Sequence, residues 1–433
     1  MKKILSVILA SLFIISAAVS CADKKAAESE SAEAVSSTSA EEMPTPLYQI
    51  TPADENVTAD TSRLHSFYAK LTDAVLAHGN GENAVISPVN IYTAIAMLTD
   101  AADGDSRSEL LELLGLDSAD EAAALSTYIT KSLTLDEEKS KTLFGASLWM
   151  NESFDHSEEC AKLISRKHLA ELFSGDFSSD TYQSAIKSWL NGKTKGLLSD
   201  HVDNLQISPE SSGMIITTLY FKDIWKNAFN EKLTEENIFH APSGDIKHDF
   251  MKQPAAASYY YKGEGFTAVN LHYEKAGSLM LLLPDDGITP ESLFVSADAQ
   301  SLMLRGMGDT TASVHDAQVT LSLPKFDINE SLELRGIISM LGAPSIFSEK
   351  LADFSSLFPN KDVLVSSIVH CARFRIDEEG GEGAAFTGIT MAPTSAPLPD
   401  EKMEIVFDRP FAFSLLSPNG EPLFTGIIND PTK

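Results

Sequence analysis

The sequence predicts an α+β fold, because helical periodicity fills the first part of the chain, β-type runs come after Ser212, and the two are segregated rather than alternating. With 43% hydrophobic and 22% charged residues among 433, there is material for a large core. The 62 acidic against 33 basic side chains leave a formal charge of −29. That balance argues against a nucleic-acid partner, since a phosphate backbone needs a basic footprint. Three cysteines with no Cys-x-x-Cys spacing, and no His-Glu-x-x-His, offer neither a disulfide framework nor a metal site. No cofactor is expected. Cys160 and Cys371 read as reduced thiols, with a pairing between them left open.

In chain order, Met1-Lys2-Lys3 and the apolar run from Ile4 to Ala18 come first. The run is shorter than the roughly 20 residues that span a bilayer, so residues 1–20 read as a signal peptide. Ala18-Val19-Ser20-Cys21 resembles a bacterial lipobox, with Ala18 where Leu is usual. That resemblance implies a lipid on Cys21 and an extracytoplasmic protein anchored at the membrane surface, with simple secretion as the other outcome. Residues 21–60 are rich in Ala, Ser, Thr and Glu and poor in large apolar residues, the composition of a flexible acidic linker. The folded domain is expected over residues 61–433.

Leu64, Phe67, Tyr68, Leu71, Val75 and Leu76 share one helical face, with Thr61 or Ser62 as cap and Gly79 to Gly81 as stop. Ser87-Pro88 opens a second helix, a hydroxyl cap followed by proline at the first helical position. Ser106-Arg107-Ser108-Glu109 reads as a capping box for a third, which stops near Gly115. Strands are expected at Met214 to Tyr220, Phe266 to His272, Ser278 to Leu283, Val319 to Leu323 and Leu364 to Val369. Phe411 to Leu416, Pro418-Asn419-Gly420 and Leu423 to Ile428 read as a buried C-terminal hairpin.

Two catalytic motifs fail on inspection. Gly192-Lys193-Thr194 lacks the P-loop glycine at 187, which is Lys187. Ser184-Ala185-Ile186-Lys187 lacks the Ser-Asp-Asn and Lys-Thr-Gly partners of penicillin-recognising enzymes. No catalytic residues are assigned.

The most informative stretch lies between Arg375 and Phe407 and begins Asp377-Glu378-Glu379-Gly380-Gly381-Glu382-Gly383-Ala384-Ala385. Every second residue from 381, namely Gly381, Gly383, Ala385, Thr387, Ile389 and Met391, is uncharged, while Glu382 falls on the opposite set. Period 2 with one small-to-apolar face suits a strand that buries one side. Pro393, Pro397 and Pro399 then bar the second half from a sheet interior. The bland reading is a glycine-rich connection. The sharper one is a loop exposed in one state and inserted as a central strand in another, for which Gly and Ala have the backbone freedom.

The motifs around this loop resemble the serpin family from Ser62 to Pro431. Asn83 to Pro88 and the helix after it are similar to the family's shutter segment, and Leu219-Tyr220-Phe221-Lys222-Asp223-Ile224-Trp225 to the strand bearing the breach tryptophan. Leu323-Pro324-Lys325-Phe326, Leu341-Gly342, Ala352-Asp353-Phe354-Ser355, Val369-His370, the Glu378-Glu379-Gly380 hinge and Phe407-Asp408-Arg409-Pro410-Phe411 come in family order. The resemblance implies one domain with three β-sheets, about nine helices and a reactive-centre loop. It implies a shutter of Ser87, Asn90, Thr217 and His370, a breach at Trp225 and a hinge over Glu378 to Ala385. It also implies a monomeric suicide substrate that traps a serine protease as a covalent complex when the cleaved loop inserts, a use of strand addition. A non-inhibitory serpin, serving as substrate or binding protein, is the alternative.

Family members are usually cut after the seventeenth residue counted from the hinge glutamate. Counting from Glu378 gives Thr394, so Thr394-Ser395 is the expected reactive bond, with Met391 and Ile389 as rival bait positions. A small β-branched bait suits an elastase-like or subtilisin-like pocket. No Lys or Arg lies between Arg375 and Lys402, which argues against a trypsin-like target. Gly381 and Gly383 stand where Thr or Ser and Ala are usual, Phe386 where a small residue is, Asn90 for Ser and Thr217 for Asn.

Overall fold

Among the described residues seven α-helices precede residue 213: α1 (Leu64–Leu76), α2 (Pro88–Ala101), α3 (Gly104–Leu114), α4 (Ala119–Leu133), α5 (Glu158–His168), α6 (Asp180–Lys193) and α7 (Ser199–Asp203). Two more, α8 (Ala297–Leu304) and α9 (Arg335–Met340), lie among the later strands. The computed structural model describes residues 43–50, 59–77, 81–304, 311–360, 362–382 and 399–433, and within them nine α-helices match the number the resemblance implies.

Caps are where local reading slipped. A short 3-10 turn, Thr61–Arg63, precedes α1, and its cap is Asp60, whose carboxylate accepts from Ser62 N at 3.0 Å. Neither Thr61 nor Ser62 caps α1. Likewise α3 starts at Gly104 with Asp103 as cap, not at Ser106. Ser106 is buried inside the helix, where its hydroxyl lies 3.2 Å from Ser345 Oγ and accepts from Asp353 N, and Glu109 accepts from Ser345 N. The supposed capping box fastens α3 to the 345–353 segment instead. Ser87 and Pro88 do open α2, but the Ser87 hydroxyl makes no capping bond. Gly115 closes α3 in the left-handed conformation, as expected of a C-terminal glycine.

The strands are β1 (Ala84–Ile86), β2 (Leu135–Asp136), β3 (Lys141–Asn151), β4 (Glu171–Gly175), β5 (Gly213–Ile224), β6 (Glu235–Ala241), β7 (Gly244–Gly263) and β8 (Phe266–His272). They continue with β9 (Ser278–Pro284), β10 (Ser313–Pro324), β11 (Phe326–Glu333), β12 (Val369–Ile376), β13 (Gly380–Gly381), β14 (Lys402–Val406), β15 (Phe411–Leu416) and β16 (Pro422–Ile428). Among the described residues they make two hydrogen-bonded sheets. The larger runs β1-β16-β15-β9-β8-β7-β10-β14 with β6 beside β7, and the smaller β11-β12-β13-β5-β3-β2 with β4 beside β3. Pairing joins two of the three implied sheets, because the 20-residue β7 is long enough to reach β8 at one end and run beside β10 along its length.

Leu364 to Val369 is not a strand; the ladder begins only at Val369. Val363, Val365 and Ile368 pack against the core, but Val365 N bonds to Ile346 O and Ile368 O accepts from Leu334 N, loop partners that replace a strand neighbour. The C-terminal hairpin forms as expected, β15 antiparallel to β16. Inside the stretch expected to be linker, residues 43–50 are described: Leu47 N bonds to Leu172 O on β4, and Lys162 lies 5.4 Å over the Tyr48 ring. Leu47 and Tyr48 are among the first large apolar residues after the apolar run from Ile4 to Ala18, and large apolar side chains gain from burial. Residues 21–42 and 51–58 lie outside the described residues.

The core centres on α2, buried on nearly every side and packed against β5 and β16. This places α2 directly beneath the smaller sheet, at the position where β5 and β12 face each other.

Candidate functional site

The hinge starts with a turn that its own aspartate makes. Asp377 Oδ1 accepts from Glu379 N at 2.9 Å and Gly380 N at 3.1 Å, and Asp377 N donates to Gly380 O. The turn delivers Gly380–Gly381 as β13, a two-residue strand between β12 and β5. Gly380 pairs with Ile224, and Gly381 with Asp223 on one side and Ile376 on the other. Both pairings are antiparallel, so β5 and β12 run parallel to each other. Among the described residues no pairing joins β5 to β12 except through these two glycines.

Space requires glycine at 380, where backbone blocks a Cβ, and makes 381 a tight position against two side chains. A Cβ on Gly380 would stand 2.1 Å from Asp223 O, and one on Gly381 would stand 3.0 Å from the Phe221 ring and from Tyr273 Oη. The departure from the usual Thr or Ser at 381 thus has a local cause.

Trp225 holds the hinge from the β5 side. Its backbone N–H donates to Glu379 O and its indole Nε1 to Asp377 O, both at 2.8 Å, while its ring stacks on Tyr273 with centroids 4.2 Å apart. Glu378 is tied down as well: its carbonyl accepts from Phe229 N, and its carboxylate accepts from Thr234 Oγ1 at 2.7 Å and lies 3.4 Å from Lys325 Nζ. Sequence reasoning missed Asp223. Its buried carboxylate accepts four hydrogen bonds, from Ser140 Oγ, Ile224 N, Lys275 N and Ala276 N, and so fixes the upper end of β5 to two neighbouring turns. An aspartate just before the breach tryptophan was the available signal.

The four residues expected to form a shutter lie in two bonded pairs. Ser87 N donates to His370 Nε2 at 3.0 Å, and Asn90 and Thr217 exchange bonds, Asn90 Nδ2 to Thr217 O and Thr217 Oγ1 to Asn90 O, each 3.2 Å. Burial pushes the His370 imidazole down to about 4, so it is neutral at ordinary pH and Nε2 is free to accept. A cavity beside Ser87 and Asn90 is lined by Thr217 and Leu219 of β5, Ala372 and Arg373 of β12, and Phe424, and a second one by Leu219, Phe221, Arg373 and Glu382. The chain emerges from the hinge at Glu382 and is described again from Pro399, whose carbonyl accepts from Gln318 Nε2 at 2.8 Å. Gly383, Ala384, Ala385, Ile389, Met391, Thr394, Ser395 and Cys21 lie outside the described residues.

A split sheet with a glycine hinge wedged into its top is a distinctive arrangement. A family model described as "Serpin (serine protease inhibitor)" matches residues 62–431. The chain belongs to the serpin family. Serpin A3-1 of Bos taurus is 28% identical over 368 residues, covering 81% of this chain and 84% of the relative. The leukocyte elastase inhibitor of Bos taurus is 28% identical over 366 residues, covering 82% and 94%. Among solved structures, the native state of the thermophilic serpin tengpin superposes with a TM-score of 0.76 at 24% identity, covering 89% of this chain and 99% of that one. A thyroxine-binding globulin in complex with thyroxine does so with 0.70 at 23%, covering 86% and 100%. Serpins are typically protease inhibitors, yet a hormone-binding member shares this fold, so fold alone does not assign the activity.

Proposed function

We propose that this serpin inhibits serine proteases as a suicide substrate. The protease serine attacks the Thr394 carbonyl, the Thr394-Ser395 bond breaks, and Ser395 leaves with a free amine while Thr394 stays esterified to the enzyme. The hinge, released from its C-terminal tie, then extends between β5 and β12 and carries the acyl-enzyme away from its starting position. The observation that carries this reading is the wedge of Gly380–Gly381 between two strands that have no other described link to each other. Cavities lie between β5 and β12 beside Glu382 and beside Ser87 and Asn90, and the uncharged alternation from Gly381 to Met391 suits entry between these strands.

The small bait and the absence of Lys and Arg from 376 to 401 direct the inhibitor toward elastase-like or subtilisin-like enzymes. On the same reading Cys21 bears the lipid, and a monomeric domain works outside the cytoplasm on a tether. Incubation of the full chain with an elastase-like and a subtilisin-like protease should give an SDS-resistant complex and a released fragment beginning at Ser395. Cleaved chain alone, with protease activity intact across a broad panel, would refute inhibition and leave the non-inhibitory reading. A fragment beginning after Ile389 or Met391 would move the bait. Loss of lipid labelling in a Cys21→Ser variant tests the anchor.

A further inference from the structure

Two energetic costs meet in one residue where the chain leaves the smaller sheet. Glu382 comes directly after the last paired glycine with φ +55°, in the left-handed region that a residue with a Cβ rarely occupies. Its side chain is only 15% exposed. Oε1 accepts from Tyr220 Oη at 3.0 Å and stands 4.0 Å from Arg375 Nη2, whereas Oε2 is buried with no partner among the described residues. A buried carboxylate oxygen without a donor is costly. The two strands that flank the gap supply the contacts, Tyr220 from β5 and Arg375 from β12.

Geometry makes this residue an obligatory step. An extended strand needs negative φ at every residue with a side chain, so no strand can continue from Gly381 through Glu382 as it stands. The backbone at 382 must rotate, and that rotation takes the carboxylate away from the Tyr220 hydroxyl.

We propose that Glu382 is a positioning residue that poises the hinge: its left-handed backbone and half-satisfied carboxylate raise the free energy of the docked hinge, and the Tyr220 hydroxyl is the bond that retains it. Its use in trapping an enzyme rests on the inhibitor reading, but the poise itself is a property of the uncleaved chain. Burial, outweighing the Tyr220 hydrogen bond and the pull of Arg375, Lys222 and Arg373, holds the Glu382 carboxyl above the ordinary carboxylate range. A raised value means that protonation favours the docked hinge, so docking weakens as pH rises through it. Arginine and lysine do not titrate in that range, and burial pushes the Tyr220 phenol up, away from it.

The test compares the full wild-type chain with its Glu382→Gln and Tyr220→Phe variants, held below their unfolding temperature without protease and sampled for the fraction that has become resistant to urea by loop insertion. Gln keeps an acceptor for Tyr220 and removes the buried charge, so it should slow conversion roughly tenfold at neutral pH. Phe removes the retaining donor and should quicken it roughly tenfold. The acid response of His370 is common to both chains, so the reading is the ratio of the two rates: as pH is lowered toward 4.5, wild type should slow relative to the Gln variant until their tenfold difference closes. Rates that move in the same direction in both variants, a Gln variant that keeps the wild-type pH profile, or a wild-type chain that never converts would each overturn the proposal. Complex formation with proteases is scored separately, so a failed inhibitor reading and an unpoised hinge give different results.

Discussion

The carbonyl of Asp377 accepts a 2.8 Å hydrogen bond from the indole Nε1 of Trp225, a residue 152 positions earlier in the chain. The bond joins the turn that starts the hinge to the end of the strand the hinge docks against. With the Trp225 N–H to Glu379 O bond it makes Trp225 a reporter and a restraint of the docked state. Trp225→Phe keeps an aromatic ring against Tyr273 and loses the indole donor. It should cost about 1–2 kcal/mol, read as a lower urea midpoint at unchanged slope. An unchanged midpoint would show that the indole bond restrains nothing.

Asp223 should be more demanding. Replacing it with Asn puts an amide N–H₂ either against Lys275 N and Ala276 N or against Ser140 Oγ and Ile224 N, donors already aimed at a carboxylate oxygen. The expected loss is about 2–4 kcal/mol, the range for leaving buried charge-accepting donors unmatched. Equilibrium denaturation of the Asn variant checks it, and a loss under about half a kcal/mol would contradict the assigned role.

His370 predicts an acid-labile shutter. Its value falls from an ordinary 6.5 to about 4 in the folded state because burial penalises the imidazolium. The neutral ring's contribution is therefore fully present above pH 6.5 and is lost as pH falls from there toward 4, to a total of about 3 kcal/mol. Protonation also removes the acceptor for Ser87 N. Stability measured at pH 7, 5.5 and 4.5 should fall less steeply in His370→Gln than in wild type. Parallel curves would assign the acid sensitivity to other groups.

Gly381 offers a steric test. A Cβ there would meet Phe221 and Tyr273 at 3.0 Å, so Gly381→Val should weaken docking by about 1–3 kcal/mol through overpacking, with Gly381→Ala milder. Tryptophan fluorescence from Trp225, which contacts both the hinge and Tyr273, should shift in the Val variant. An unperturbed spectrum together with wild-type stability would mean that the neighbours yield freely.

Much of the site was legible because its signals are local. The glycines at 380 and 381 with the alternation after them, and the Phe221-Lys222-Asp223-Ile224-Trp225 run, are each contiguous in sequence, and the structure pairs the described parts of both inside the smaller sheet. Asp223 and Glu382 stand inside recognisable motifs, but their roles were not legible there. Those roles depend on which donors reach a carboxylate across the fold, and Ser140, Ala276 and Tyr220 lie 83, 53 and 162 residues away from their partners. The mistaken caps at Thr61 and Ser106 have the same origin. An equally good local acceptor, Asp60 or Asp103, stood nearby, and tertiary partners drew Ser106 and Glu109 elsewhere.

By itself the sequence determined the α+β class, six of the sixteen strands among the described residues and the family resemblance, because periodicity, glycine placement and proline exclusion act over a few residues. Only the tertiary structure decided that β5 and β12 meet through two glycines alone among the described residues, that Gly381 is small for want of space, and that Glu382 is left half-satisfied. Those outcomes depend on burial and on hydrogen-bond partners far apart in the chain, which no local pattern encodes.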